Sequence, residues 1–244
     1  MTATPVLPDG WTLVALQSVG STNDEAAHLA DNGAPEGTVV WAREQTGGRG
    51  RRGRRWASPV GNLYSSTILR PACPAQRAAE LGFVAALAAA DIVPPERSVR
   101  VKWPNDVLVD GGKVAGILPE SAIGQDGKAE HVVMGIGVNV GFAPQLPEMR
   151  YPSAMLGGSV EGALEKLVTA LAVRLGQWRR EGFESIRADW LARAGPIGLE
   201  VDVRLGTELV RGRFGGIDHD GALLLDTPAG PRKIVAGELL GRAA

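Results

Sequence analysis

The densest group of side chains suited to binding or catalysis in this sequence lies in a glycine-rich stretch, residues 47–56, here called the arginine loop. Within seven positions it carries five guanidinium groups, on Arg49, Arg51, Arg52, Arg54 and Arg55. No acidic residue occurs between Gln45 and Ala79 to balance them in sequence. Guanidinium groups bind phosphate and carboxylate oxygens through paired hydrogen bonds. The loop therefore predicts a mobile clamp for an anion, with phosphate as its natural ligand.

Two other interpretations of the arginine loop compete with this one. The pattern Gly48-x-Gly50-x-x-Gly53 formally matches the dinucleotide-binding fingerprint. That fingerprint needs a helix directly after it to receive the pyrophosphate, whereas residues 54–59 have no helical periodicity and end in proline, so we reject it. A segment that binds single-stranded nucleic acid through charge and stacking remains an alternative.

Composition places limits on the class of protein. The chain has 26 basic and 27 acidic residues, for a formal net charge of -1, which argues against a protein that coats nucleic acid through bulk charge. Hydrophobic residues make up 44% of its 244 positions, enough for a sizeable core. Cys73 is the single cysteine, so no intrachain disulfide can form. Residues 1–5 lack the features of a secretory signal, and the most apolar run, residues 81–90, is about half the ~20 residues that cross a bilayer. We therefore expect a cytoplasmic protein with no membrane segment.

Turn residues and periodicity predict alternating strands and helices, as in α+β or α/β proteins. A helix begins near Thr22, which has capping-box spacing with Glu25, and ends at Gly33. Strands at residues 37–42 and 62–69 flank the arginine loop, and one buried helix covers residues 75–93. Further predicted elements are strands at 99–103, 106–109, from 114 onward and 131–139, with a hairpin turn at 110–112, and helices between about 160 and 194.

The character of the sequence changes at Gly195. From there to the end, four short strands separated by glycine-containing turns are predicted, with no helix, which is typical of a small β-barrel or sandwich. We therefore predict two domains, one over residues 1–194 that carries the binding site and a β domain over residues 195–244.

Several blocks of the sequence resemble the motifs of the bacterial biotin protein ligases. The arginine loop, with the Ser58-Pro59 and Gly61-Asn62-Leu63-Tyr64 that follow it, resembles the catalytic loop of that family. The other matching blocks are Ser21-Thr22-Asn23, residues 102–106 with 113–118, residues 135–139, and residues 214–225. The resemblance implies an α+β fold, in which a mixed sheet flanked by helices, similar to that of class II synthetases, carries a small C-terminal SH3-like β-barrel.

The resemblance implies a two-step reaction. Biotin and ATP form biotinyl-5'-adenylate, and biotin is then transferred to a lysine of the biotin carboxyl carrier domain of an acyl-CoA carboxylase. Mg²⁺ is expected with the ATP phosphates. The implied catalytic residues are Lys113, Arg49, Arg51 and Asp106. The implied biotin contacts are Ser21, Thr22, Asn23, Gln45, Arg49, Gly50, Arg51 and Lys113. The implied ATP or adenylate contacts are Arg51, Arg52, Arg54, Trp56, Asn105 and Asn139.

Simpler structural interpretations exist for some of these residues. Thr22 also fits a helix N-cap, and Lys113 also fits a solvated lysine after a turn. Asp106 either orients basic groups or magnesium, or caps the turn before it. Trp56 either stacks on adenine or packs in the core.

Other enzyme classes have little support in the sequence. His28, His131 and His219 are scattered and form no cluster with cysteine, which argues against a zinc site, and no Gly-x-Ser-x-Gly motif of a hydrolase is present. A lipoate ligase would have a related fold but lacks the arginine-loop signature.

The resemblance also bears on partners and dynamics. Many relatives begin with a DNA-binding winged helix-turn-helix, whereas the Ser21-Thr22-Asn23 motif here leaves no room for one, so we expect no specific DNA binding. Relatives include dimers formed by side-by-side pairing of sheets, but no strand of this sequence identifies the edge that would pair, so a homodimer stays an open alternative. The glycines of the arginine loop predict that it is poorly ordered until ligand closes it.

Overall fold

The computed structural model describes residues 5–145 and 152–241, so most of the N-terminal stretch considered above lies outside the described residues. The centre of the molecule is a seven-stranded mixed sheet. Its strands are β1 (Thr12–Val19), β2 (Thr38–Gln45), β3 (Leu63–Leu69), β4 (Val99–Lys102), β5 (Asp106–Val109), β6 (Gly112–Ile123) and β7 (Ala129–Val138), in the order β1-β2-β3-β7-β6-β5-β4. Only β1 and β2 pair in parallel.

Helices cover both faces of this sheet, which confirms the predicted arrangement. They are α1 (Thr22–Asp31), α2 (Ala75–Ala78), α3 (Glu80–Asp91), α4 (Val160–Glu181) and α5 (Phe183–Arg193). Successive side chains of β2 point to opposite faces of the sheet. Val40 packs with Ala26 and Ala30 of α1 on one face, whereas Val39 packs on the other in the larger core that contains α3 and α4. None of the described helices is long and apolar enough to span a bilayer.

The prediction of one continuous helix over residues 75–93 is wrong. The segment divides into α2 and α3, because Gly82 N–H donates to the Ala79 carbonyl three residues back, which is a tighter turn than an α-helix makes. Burial of α3 is confirmed. Ten of its twelve residues are buried, since α3 lies between the sheet and the helices α4 and α5.

The C-terminal strands form a separate antiparallel sheet. They are β8 (Glu200–Leu205), β9 (Glu208–Ile217), β10 (Leu223–Thr227), β11 (Gly230–Ile234) and β12 (Glu238–Gly241), in the order β11-β10-β9-β8-β12. Only three residues join β11 to β12, which lie at opposite edges, so the sheet curls until its edges are within about 14 Å of each other. Within the described residues no hydrogen-bonded ladder joins those edges, so the implied barrel is curled but not closed.

The two sheets meet through the turn between β4 and β5. The indole N–H of Trp103 donates to the Gly221 carbonyl at 3.1 Å, and both groups are buried. Gly221 has a φ of +80°, and a Cβ there would lie 2.6 Å from the Phe83 ring. A glycine is therefore required where the second sheet approaches α3.

Ion pairs tie three helices together beneath the sheet. Asp91 at the end of α3 accepts from Arg174 of α4 at 2.7 Å and from Arg193 of α5 at 2.6 Å. Burial acts to raise the pKa of Asp91, but the hydrogen bonds from Arg174 and Arg193 outweigh it and hold the pKa below its usual range. Arg174 also pairs with Asp189 of α5.

We predict that Asp91→Asn lowers the free energy of unfolding by about 2 kcal/mol at pH 7, because two partly buried arginines lose their shared carboxylate. A depressed pKa stabilises the fold above the unfolded-state value of about 3.9 and ceases to do so as pH falls through the folded-state pKa. The difference between wild type and variant should therefore be constant above about pH 5 and shrink in more acidic solution.

Urea denaturation at several pH values measures this difference. Asp226→Asn is the matched control, because Asp226 is exposed and makes no ion pair with any residue that the structure describes. An Asp91→Asn protein as stable as wild type at pH 7 would contradict the prediction.

Candidate functional site

A cavity of about 240 Å³ opens at the edge where the arginine loop covers the seven-stranded sheet. Its walls come from the start of α1, the ends of β2, β6 and β7, the β4–β5 turn and the start of β12. The cavity brings together every predicted site residue except Arg52, which is exposed and does not line it. Arg55, which had no predicted role, does line it.

The buried end of the cavity is built from neutral hydrogen-bonding groups at the start of α1. Gln45 Oε1 accepts from the Thr22 backbone N–H at 2.8 Å and from the Thr22 hydroxyl at 3.1 Å. Gln45 Nε2 donates to Ser58 Oγ at 2.9 Å. The expected N-cap role of Thr22 is therefore wrong, because Thr22 is the first helical residue and the carboxamide of Gln45, from β2, satisfies its free N–H.

Asn23 joins this end of the cavity to strand β6. Its Nδ2 donates to the Leu118 carbonyl at 3.2 Å and to Glu120 Oε2 at 2.7 Å, and its Oδ1 lies 2.6 Å from Ser66 Oγ. A Cβ on Gly135 would approach Asn23 Oδ1 to 2.2 Å. Gly135 is therefore what makes room for the Asn23 side chain.

The arginine loop has a defined conformation. Arg49 and Arg55 form an isolated antiparallel bridge, Gly50 N–H donates to the Arg54 carbonyl at 2.7 Å, and residues 51–53 form a short 3₁₀ turn. Arg52 has a φ of 58°, in the left-handed region. This turn directs Arg52 outward and leaves the neighbouring arginines over the cavity. That the loop is poorly ordered in the absence of ligand stays a prediction.

Protein carboxylates hold two of the arginines. Arg49 makes a bidentate pair with Asp24 at 2.7 and 2.6 Å and also contacts Glu120 at 3.1 Å. Arg54 pairs with Glu238 of β12 at 2.7 Å. The hydrogen bond to Asp24 is the main cause that raises the pKa of Arg49 above its usual value. Both arginines are therefore tied to the protein surface.

Arg51 is the arginine of the loop that lies deepest. It is half-buried, and its Nη1 lies 3.4 Å from the Gly237 carbonyl, a weak hydrogen bond. Burial and then the neighbouring Arg52 lower the pKa of Arg51. No carboxylate contacts Arg51 within the described residues, so its half-buried guanidinium is available to an anionic ligand in the cavity.

Lys113 reaches the cavity because of an irregularity in strand β6. Val107 pairs with Ala115 and Leu108 pairs with Lys113, so Val114 is an extra residue in β6. In a regular strand Lys113 and Gly116 would point to opposite faces. The bulge places both on the cavity side and buries Val114 in the core.

Lys113 and Asp106 form the charged pair of the site. Lys113 Nζ lies 2.6 Å from Asp106 Oδ1, and Lys102 Nζ lies 3.6 Å from Asp106 Oδ2. Burial acts to raise the pKa of Asp106, but the two lysines outweigh it and hold the pKa below its usual range. Asp106 is therefore paired with basic groups, and its catalytic role stays a prediction.

Trp56 packs against two glycines of the sheet, where no side chain intervenes. Gly116 and Gly137 are paired residues of β6 and β7, and a Cβ on either would come within 3.0 or 2.7 Å of the indole. Lys113 Nζ lies 5.2 Å from the centre of the ring, within the range of a cation–π contact. The Trp56 Nε1 is buried without a partner in the described residues.

Asn139 and Asn105 have backbone partners. Asn139 Nδ2 donates to the carbonyls of Lys113 and Ala154 at 3.2 and 3.1 Å. Asn105 Nδ2 donates to the Ile117 carbonyl at 2.7 Å. Both amides border the cavity, but these bonds make them supports for β6, and their expected contacts with adenine stay predictions.

The carboxylates that line the cavity are engaged by cations of the protein, so they leave a magnesium ion to be held by the phosphates of ATP. Asp106 already contacts Lys113 and Lys102, and Glu238 already contacts Arg54. Mg²⁺ is commonly held by substrate phosphates and water with few protein ligands, so the donor set suits a metal carried by the triphosphate. Among the described residues, Asp218, His219 and Asp220 also cluster within 4.8 Å, but they do not line the cavity.

Besides Arg55, four charged residues at the site had no predicted role: Asp24, Lys102, Glu120 and Glu238. Lys102 and Asp24 lie inside or beside matched motifs, so their positions in sequence were a usable signal. Glu120 and Glu238 carry no such signal, because strand pairing and the approach of the second sheet bring them to the arginines.

We predict that Asp24→Asn loosens the arginine loop, because it weakens the bidentate pair with Arg49. Charged pairs at exposed sites contribute about 1 kcal/mol or less, so opening of the loop should increase by roughly fivefold. Limited trypsin digestion under native conditions, with peptide mapping of cleavage after Arg51 and Arg52, measures this opening.

Asp31→Asn is the control on the same helix, since the Asp31 side chain is 70% exposed and lies away from the loop. Equal cleavage rates in wild type and Asp24→Asn would show that the pair does not hold the loop.

Residues 15–139 match the family model described as the biotin/lipoate A/B protein ligase family, and residues 197–239 match the biotin protein ligase C-terminal domain. The biotin--[acetyl-CoA-carboxylase] ligase of Paracoccus denitrificans is 43% identical over 238 residues, which cover 92% of this chain and 98% of that protein. The bifunctional ligase/repressor BirA of Escherichia coli is 31% identical, with 97% of this chain and 76% of that protein covered.

Solved structures agree with these sequence matches. The biotin protein ligase of Aquifex aeolicus in complex with biotin and ATP superimposes with a TM-score of 0.76 and 27% identity, covering 93% of this chain and 97% of the other. Both the main sheet and the C-terminal sheet have counterparts in family models. The chain therefore belongs to the biotin/lipoate protein ligase family, among the biotin protein ligases.

Proposed function

We propose that this chain is an ATP-dependent ligase that activates biotin as biotinyl-5'-adenylate and transfers it to a lysine of a biotin carboxyl carrier domain of an acyl-CoA carboxylase. The observation that carries the proposal is the polarity of the cavity. Neutral hydrogen-bonding groups around Thr22 and Gln45 occupy one end, and Lys113, Arg51 and Trp56 occupy the other.

This polarity matches the two ends of biotin. The ureido ring is neutral, with one acceptor and two donors, and a site that pairs all of them rejects analogues that lack them. Ser21, Thr22, Asn23 and Gln45 supply such groups. The carboxylate of biotin needs a cation, and the position of Lys113 at the cavity wall, produced by the bulge at Val114, supports that role for Lys113.

In the first step, an oxygen of the biotin carboxylate attacks the α-phosphorus of ATP. The bond from the α-phosphorus to the oxygen that bridges the α- and β-phosphates breaks, and pyrophosphate leaves. Mg²⁺, when bound with ATP, would neutralise phosphate charge. Lys113 stabilises the negative charge shared between the carboxylate and the α-phosphate. Arg51 binds phosphate oxygens, because its guanidinium lies over the cavity without a carboxylate partner among the described residues.

In the second step, the ε-amine of the carrier lysine attacks the carbonyl carbon of the adenylate. The bond between the carbonyl carbon and the oxygen shared with the phosphate breaks, and AMP leaves. The amine loses a proton, and an amide is formed. Water would destroy the same mixed anhydride, so the arginine loop must cover it until the carrier binds. The contacts of Arg51 and Arg54 with Gly237 and Glu238 place the loop against the second sheet for this purpose.

The contacts refine the roles proposed for two residues. Arg49 is bound to Asp24 and Glu120, so we assign it to holding the loop, with its charge reaching the ligand only at longer range. Gly50, next to it, lines the cavity through its backbone. Arg52 faces solvent, and we assign it no contact with ATP.

Several observations weigh against the alternatives. The match of residues 197–239 to a biotin protein ligase domain favours biotin over lipoate as substrate. A nucleic-acid-binding segment would use all five arginines of the loop, whereas two of them, Arg49 and Arg54, are already paired with carboxylates. Absence of specific DNA binding follows from the same pairing and from the net charge of -1, and it stays a prediction.

Three further features stay proposals. A homodimer formed by side-by-side sheets would use β1 or β4, the edge strands of the large sheet. A cytoplasmic location follows from the proposed use of ATP and a carboxylase. The division at residues 194 and 195 places the main cavity in the first domain, although Glu238 from the second also lines it.

Lys113→Ala should lower biotin-dependent pyrophosphate release from ATP by about a hundredfold, or roughly 3 kcal/mol, because one preorganised cation is removed from the developing charge. Wild type should release pyrophosphate only when biotin and ATP are both present. A coupled pyrophosphate assay with each substrate omitted in turn tests both statements.

Lys128→Ala is the control, since the Lys128 side chain is 60% exposed in the turn between β6 and β7. Pyrophosphate release that does not need biotin would contradict the proposed function, and near-wild-type release by Lys113→Ala would contradict the role of Lys113.

Replacing Arg51 and Arg54 together with Met should increase escape of the adenylate, because the loop loses its phosphate contact and its contact with Glu238. The ratio of free biotinyl-adenylate and its hydrolysis products to biotinylated carrier lysine should rise by roughly tenfold, the effect of about 1.4 kcal/mol. Arg52→Met is the matched control because Arg52 faces solvent. An unchanged ratio in the double variant would show that these arginines do not retain the intermediate.

A further inference from the structure

Lys102 is a buried lysine beside the cavity that the reaction described above does not use. It ends β4, and it pairs in register with Asp106, the first residue of β5. The turn between them is fixed at two points, by Trp103 Nε1 on the Gly221 carbonyl and by Asn105 Nδ2 on the Ile117 carbonyl. The Lys102 side chain is 9% exposed and the Asp106 side chain 15%.

The Asp106 carboxylate lies between two lysines. Oδ1 is 2.6 Å from Lys113 Nζ, and Oδ2 is 3.6 Å from Lys102 Nζ. Lys113 is at the cavity wall and Lys102 is not among the residues that line it. One lysine can therefore reach a ligand, and the other faces the opposite side of the carboxylate.

Binding of a ligand would change the hydrogen bonds within the triad of Lys102, Asp106 and Lys113. Under the proposed function, Lys113 must turn part of its hydrogen bonding from Asp106 to the oxygens of biotin and the α-phosphate. A carboxylate this deeply buried is costly to leave without a cation. If Asp106 had Lys113 as its only partner, it would compete with the ligand for that lysine.

We propose that Lys102 is a positioning residue that keeps Asp106 ionised and in place while Lys113 moves its charge to the ligand. The inference rests on the proposed function for the role of Lys113. Burial lowers the pKa of Lys102, and the charge of Asp106 opposes that effect, so the two groups depend on each other.

The charges around the triad come from each neighbouring element. Arg51 of the arginine loop acts on Asp106, and Glu238 of β12 and Arg54 of the loop act on Lys102. Arg51 and Lys113 both face the ligand, so both become less available to Asp106 when the ligand binds. Lys102 is the cation of this group that the cavity does not expose.

A double-mutant cycle tests the inference. The variants are Lys102→Met, Asp106→Asn and the two together, with Lys102→Arg as the conservative replacement, and the readouts are kcat and KM for pyrophosphate release. We expect Lys102→Met to lower kcat by about tenfold while KM for biotin and ATP changes by less than about threefold. Lys102→Arg should recover most of kcat. In the Asp106→Asn background, Lys102→Met should cost less than about twofold, because no carboxylate remains to be held.

A second readout does not require activity. The ¹³C chemical shift of the Asp106 carboxyl group, followed by NMR against pH in the ligand-free protein, reports its ionisation directly. Loss of a neighbouring cation disfavours the charged form, so the titration midpoint of Asp106 should be higher in Lys102→Met than in wild type and should return toward wild type in Lys102→Arg.

Several results would overturn the inference: an unchanged Asp106 midpoint, an equal loss of kcat in both backgrounds, or a loss confined to KM for ATP. If Lys102→Met does not fold, Lys102→Gln takes its place in the cycle and in the titration, with the same expectations. A wild-type protein that lacks biotin-dependent pyrophosphate release would contradict the proposed function, and the NMR titration would still decide whether Lys102 holds the charge of Asp106.

Discussion

The whole site depends on balancing a concentration of positive charge before any ligand is present. Three lysine and arginine side chains near the cavity are each held by a carboxylate from a different element: Arg49 by Asp24 of α1, Lys113 by Asp106 of β5, and Arg54 by Glu238 of β12. Without such partners these cations would repel one another and the loop could not lie over the sheet. When an anion binds, its phosphate and carboxylate oxygens replace protein carboxylates as partners of some of these lysine and arginine side chains. Arg51, which has no carboxylate contact among the described residues, is the natural point for anion binding to begin.

Three glycines in the sheet under the arginine loop make room for side chains of the site. Gly116 and Gly137 are cross-strand neighbours, and together they leave a flat area of backbone on which the Trp56 indole lies. Gly135, which is in β7 like Gly137, leaves the space that the Asn23 side chain fills. Side chains at these three positions would force apart the loop, the sheet and α1, so the motif glycines are required by close packing rather than by a turn. The extra residue Val114 in β6 then turns Lys113 toward the cavity beside these glycines.

The sequence predicted much of this arrangement because its motifs are local. The predicted site residues of segments 21–23, 45–56, 102–106 and 113–118 were expected at one site, and the structure brings them to one cavity, with Arg52 the exception. Features that depend on pairing between strands were missed. Nothing in residues 106–116 marks Val114 as extra, because a bulge is defined only against the partner strand. Thr22 fitted an N-cap by its spacing, yet Gln45, more than twenty residues away, makes the capping contact. Helix α3 was expected to continue from residue 75 to 93, since alanine-rich periodicity does not reveal the tight turn at Ala79.

The contacts between the two sheets bear on how the chain should be divided. By sequence character, residues 195–244 form a separate β domain, and their strands do form their own sheet. Yet Gly221 accepts the Trp103 indole N–H beside the Lys102–Asp106 pair, and Glu238 and Gly237 contact two arginines of the loop. The turn that carries Asp106 and the loop that carries Arg51 are therefore both supported by the second sheet. A shift of that sheet would therefore move Arg51 and Asp106 together, because the loop and the turn that carry them are both attached to it.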